Sequence, residues 1–170
     1  QIDNLIIRLT MKKSNIEFED IIGRYLNISV ADENYRIYVE EAGKGIPLLC
    51  LHTAGSDGRQ FRHILNDKEI TKNYRVIAFD LPWHGKSNPP EGYELKDYKL
   101  TTSLYKQIIM SFCDNYKLRD PVIMGCSMGG RVVLHLALEH SNYFKAVIAL
   151  EGSDKLEPYY DLDWLYRPDI

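Results

Sequence analysis

The sequence is short of most features that would take a chain out of the ordinary soluble classes. Its three cysteines, Cys50, Cys113 and Cys126, stand far apart in differently patterned segments. That excludes the paired spacing of a zinc site or a disulfide framework and fits a reducing, cytoplasmic setting. No apolar run reaches bilayer length, and the stretch at residues 5–9 is broken by Arg8 and too short for a signal-peptide core. Neither charge sign dominates: 21 Lys and Arg against 24 Asp and Glu leave a formal charge of −3. Without a basic patch there is no electrostatic reason to expect nucleic acid or an anionic membrane as partner. A small, largely apolar molecule is the better match, no cofactor or metal is called for, and a homo-oligomer is left open.

What is present is enough for one domain with a real core: 170 residues, 45% hydrophobic and 26% charged. Residues 25–30 and 35–41 alternate apolar and polar around Ala31-Asp32-Glu33-Asn34, a hairpin signal. Residues 46–51, 74–79, 121–124 and 146–150 are continuous apolar runs, as expected of strands buried on both faces of a parallel sheet. Between them Leu104, Ile108, Ile109 and Phe112 recur at helical spacing, and residues 131–140 are apolar almost all round, predicting a helix packed deep inside. Alternation of strand and helix predicts an α/β fold: a mostly parallel sheet with an N-terminal antiparallel hairpin and helices on both faces.

The run Gly125-Cys126-Ser127-Met128-Gly129 places Gly-x-Ser-x-Gly between a buried strand and a buried helix. A sharp strand-to-helix turn strains its middle residue and tolerates only glycine-sized neighbours two positions either side. Ser127 is then an exposed nucleophile at the carboxyl end of the sheet, with the Met128 amide at the helix N-terminus ready for an oxyanion. Cys126 is out of frame, since glycines would be needed at 124 and 128 where methionines stand, and reads as a small buried hydrophobe. A plain helix N-cap is the competing role for Ser127.

By these residues the chain resembles the α/β-hydrolase family, over roughly residues 20 to 152. Leu51-His52-Thr53-Ala54-Gly55-Ser56 stands where the family carries a His-Gly pair, with Thr53 replacing the glycine. The resemblance implies the second oxyanion amide at Ala54 and an orienting role for His52. Asp80-Leu81-Pro82-Trp83-His84-Gly85-Lys86-Ser87 is similar to the family's Asp-x-x-Gly-x-Gly-x-Ser turn, with Trp83 replacing its first glycine. His84 then reads as a loop residue. Glu151 ends the strand after the nucleophile helix, where haloalkane-dehalogenase-like branches carry the triad acid; it is either that acid or a strand-end carboxylate capping a loop.

On this reading residues 1–20 are an uninterpreted extension with a candidate start at Met11, residues 21–152 are the N-terminal portion of the hydrolase core, and residues 153–170 begin a cap. Trp83, Tyr159 and Trp164 are then candidates to line the substrate cleft.

The family order is Ser, acid, His, yet only His135 and His140 follow Ser127. They fall ~12 and ~20 Å down the helix that starts there, out of reach. The expectation is therefore a longer native protein whose base, C-terminal strands and most of the cap lie outside this sequence, inactive in the 170-residue form. Ser127 in place of an aspartate implies acyl transfer on an ester, thioester or similar carbonyl rather than dehalogenase or epoxide hydrolase chemistry. A carbon-carbon bond hydrolase, a perhydrolase and a non-catalytic binding protein on the same scaffold stay open.

Overall fold

The computed structural model describes residues 18–96 and 101–153. Six strands, β1 Ile22–Val30, β2 Glu33–Ala42, β3 Ile46–Leu51, β4 Tyr74–Phe79, β5 Val122–Cys126 and β6 Ala146–Leu150, form one sheet in the order β1-β2-β4-β3-β5-β6. The β1/β2 and β2/β4 pairs are antiparallel, while β4/β3, β3/β5 and β5/β6 are parallel. The helices are α1 Arg62–Asn66, α2 Lys68–Thr71, α3 Thr102–Asn115 and α4 Met128–Glu139. The mixed sheet with its leading hairpin is the expected one, and the four parallel strands bring their carboxyl ends to one side.

The hairpin closes on two residues rather than four: Ala31 and Asp32 both take positive φ, 51° and 61°, the two left-handed positions of a type I′ turn, whose twist matches its strands. β3, β4 and β5 are buried on both faces as their apolar runs predict. Leu49, Leu51, Ile77, Phe79 and Ile123 join α3 and α4 in one core cluster. Leu48, Cys50, Val76, Ala78, Val122 and Met124 meet Phe61 and Leu65 in a second, so helices cover both faces. In α3 the expected stripe is realised, with Thr101 accepting the Leu104 N–H as N-cap and Phe112 stacked 4.8 Å from Phe79.

Two elements keep open surface among the described residues. On β6, which has one strand neighbour among them, Ile148 and Leu150 are 40% and 44% exposed. Nor is α4 enclosed all round. Val132, Val133 and Leu136 are buried, but Leu138 is 80% exposed and Lys106 of α3 pairs with Glu139 at the outer end.

The loop after β4 is organised by one buried carboxylate. Asp80 accepts the Gly58 N–H at Oδ1 and the Lys86 N–H at Oδ2, both at 2.7 Å, and its main-chain oxygen accepts the Ser87 hydroxyl at 2.6 Å. Ser87 Oγ in turn accepts the Tyr38 N–H at 2.8 Å. Gly85 is obligatory here because a Cβ would come 2.1 Å from Asp80 Oδ2. Asp80→Ala strands two amides and is expected to lower stability by about 2–3 kcal/mol in equilibrium urea unfolding; a loss below about 0.5 kcal/mol would show that the carboxylate does not organise this loop.

Candidate active site

Ser127 is the junction between β5 and α4, at φ 52° and ψ −111°. No L-residue adopts that conformation without strain, of order 1–3 kcal/mol. Its N–H donates to the Leu150 carbonyl at 2.8 Å and its carbonyl accepts the Arg131 N–H at 2.8 Å, so both strand and helix grip it. The side chain makes no capping bond, which removes the N-cap role. First-turn amides of a helix have no intrahelical acceptor, which leaves the Met128 N–H pointing out of the helix start.

The glycines explain how strand and helix meet. A Cβ on Gly125 would lie 2.2 Å from the Gly129 carbonyl oxygen, and one on Gly129 would lie 2.5 Å from the Leu51 carbonyl oxygen of β3. Sequence reasoning finds this pair and misses a second. A Cβ on Gly130 would come 2.7 Å from the Leu150 carbonyl oxygen, and one on Gly152 would come 2.6 Å from the Gly130 carbonyl carbon. The signal was a second glycine directly after the motif and another ending the next strand.

β5 and β6 are in register with Cys126 opposite Leu150, so Ser127 and Glu151 each follow the last paired residue of adjacent strands. It leaves the strand at φ 50° and is exposed. Cys126 is half-buried rather than enclosed, because it lies at the outgoing end of β5. The other two thiols are inert: burial pushes Cys50 and Cys113 up to about 12.

On the neighbouring strand, fully buried His52 opens the loop that carries Ala54. The Leu81 N–H donates to its Nε2 at 3.1 Å, so the proton is on Nδ1 and is donated to the Thr53 carbonyl at 2.8 Å. Burial pushes the His52 pKa down, outweighing the Thr53 bond that favours the charged form. With both nitrogens engaged, His52 holds the β3 and β4 loops together and has no lone pair left to act as a base. The Thr53 N–H donates to Gln60 Oε1 at 2.9 Å, and exposed Ala54 follows in a turn closed by Ser56 N–H to Thr53 O at 3.3 Å. Threonine in place of the family glycine is thus accommodated.

Trp83 takes φ 64°, the left-handed region, at a cost of roughly 1–2 kcal/mol. The position keeps the backbone of the glycine it replaces. His84 donates from Nδ1 to a local partner, the Pro82 carbonyl, at 2.9 Å, and its ring packs 4.9 Å from that of His52. Ser127, Met128, Ala54, Trp83 and Glu151 therefore share one end of the sheet. Tyr159 and Trp164 lie outside the described residues. An open groove of about 1190 Å³ lies at the opposite end of the strands, among Glu41, Gly43, Lys44 and Arg75, and Ser127 does not line it.

Comparison with known proteins agrees with this fold. The AB hydrolase superfamily protein YisY of Bacillus subtilis is 28% identical over 120 residues, 70% of this chain and 41% of its own length. A pimeloyl-[acyl-carrier protein] methyl ester esterase of Vibrio cholerae is 25% identical over 119 residues, 70% of this chain and 42% of its own. The chain thus spans about two fifths of these relatives. A thermophilic esterase from Thermogutta terrifontis has the same fold, with TM-score 0.68 and 20% identity over 79% of this chain and 47% of that one. A family model described as the alpha/beta hydrolase fold matches residues 46–168, and with the elbow, the sheet and these relatives in agreement, the chain belongs to the alpha/beta hydrolase fold family.

Proposed function

We propose that the protein carrying this chain is a serine hydrolase of small, largely apolar acyl compounds such as esters or thioesters. Ser127 Oγ attacks the carbonyl carbon, the Ala54 and Met128 amides hold the oxyanion, the alcohol or thiol leaves with a proton, and water then releases the acid from the acyl-enzyme. The observation that carries this reading is the conformation of Ser127: a strained residue gripped through its main chain from both sides, with its hydroxyl left out of the helix cap. Relatives named as esterases support the same class of chemistry.

Glu151 is assigned as the acid that orients the base, because it leaves β6 beside Ser127. The base is assigned to a histidine beyond these 170 residues. His52 is committed at both nitrogens, and His135 and His140 lie two or more turns down α4 from Ser127.

A fluorophosphonate is expected to label the wild-type protein at Ser127, and Ser127→Ala should abolish labelling and lower ester turnover by at least about 10⁴-fold. A folded wild-type protein that resists the probe would favour a binding role. Glu151→Gln should lower kcat by about 10²–10⁴-fold with little change in unfolding midpoint; lost stability at unchanged kcat would make Glu151 a loop cap.

The oxyanion loop also brings a pH dependence. His52 is depressed below its unfolded value of about 6.5, so the unfolded chain binds the extra proton. Its contribution to stability is full above that pH and is lost as pH falls toward the folded pKa. The urea midpoint should drop between pH 7 and pH 5, and this drop should shrink in His52→Gln; an equally steep fall in the variant would assign it to other groups.

A further inference from the structure

The loop after β4 holds a residue whose backbone conformation works against its side chain. The bonds that shape this loop run through Asp80, Leu81, Lys86 and Ser87, so the left-handed φ at Trp83 is imposed by its neighbours. Glycine meets that requirement without strain, and a bulky residue there is a genuine outlier. Such strain persists where the side chain is put to use.

The structure also fixes the backbone on either side of Trp83. Two residues earlier, the Leu81 N–H binds His52 Nε2 at 3.1 Å, and one residue later the His84 ring packs 4.9 Å from the His52 ring. Trp83 is therefore bracketed by two contacts to the residue that opens the Ala54 loop. It is half-buried, and it rests on the same apolar cluster as Met128, the residue after Ser127. An apolar ring partly open to solvent, at the same end of the sheet as Ser127, has the makings of a pocket wall.

We propose that Trp83 is a specificity-determining residue, its indole forming an apolar wall beside the scissile bond that selects esters of bulky, apolar acids over acetates. This deepens the serine-hydrolase reading and rests on it.

The test compares 4-nitrophenyl butyrate with 4-nitrophenyl acetate in the protein carrying this chain. In Trp83→Gly, which suits the backbone, the butyrate-to-acetate ratio of kcat/KM is expected to fall at least about tenfold, as loss of apolar contacts to the acyl chain would produce. Trp83→Phe should recover most of the ratio. The thermal unfolding midpoint, which strain relief helps to hold, reports that the variant is folded. An unchanged ratio, or loss of both esters in equal proportion, overturns the proposal and makes Trp83 a packing residue. If the wild type hydrolyses neither ester, the serine-hydrolase reading fails by itself. Calorimetric binding of unreactive 4-nitrobutyranilide then decides for Trp83: affinity at least about tenfold weaker in Trp83→Gly supports the wall, and equal affinity removes it.

Discussion

The site depends on how closely α4 lies against the ends of β3, β5 and β6. At Gly125 and Gly129, and again at Gly130 and Gly152, backbone meets backbone at distances that leave no room for a methyl group. Interiors packed to near-crystalline density transmit such constraints rather than absorbing them. With the helix seated this low, its first residue is forced through the turn that Ser127 makes. The strain at that one residue is offset by the packing of Val132, Val133 and Leu136 behind it.

A second layer of order is polar. Asp80 and His52 are both buried, and each spends its hydrogen-bonding capacity on main-chain groups of loops: Asp80 on Gly58 and Lys86, His52 on Leu81 and Thr53. Buried polar groups so satisfied specify one arrangement of the loops they tie. The two residues divide the work. Asp80 shapes the loop after β4 internally, and His52 fastens that loop to the one after β3.

Much of this was legible in the sequence, and the failures have physical causes. Apolar runs located β3, β4 and β6 to the residue, because few polar positions blur the ends of such strands. The same runs were silent about order across the sheet, which runs β1-β2-β4-β3-β5-β6 rather than in chain order. At the site, the spacing of Gly125, Ser127 and Gly129 was readable because one local turn needs all three. Gly130 with Gly152, and Leu81 with His52, were not, since those contacts join residues far apart in sequence. The substitution of Trp83 for glycine was visible, but its left-handed backbone was not.

The contact between Gly130 and Gly152 also sets an order of assembly. Chains are made from the N-terminus, and elements made early begin to fold before later ones exist. The serine's amide, however, is held by Leu150, and the glycine that seats the first turn of α4 comes two residues after that. A growing chain that has emerged only through α4 therefore carries Ser127 without the Leu150 carbonyl that its amide binds. Two of the groups that hold the nucleophile turn, the Leu150 carbonyl and Gly152, are thus made after the nucleophile itself.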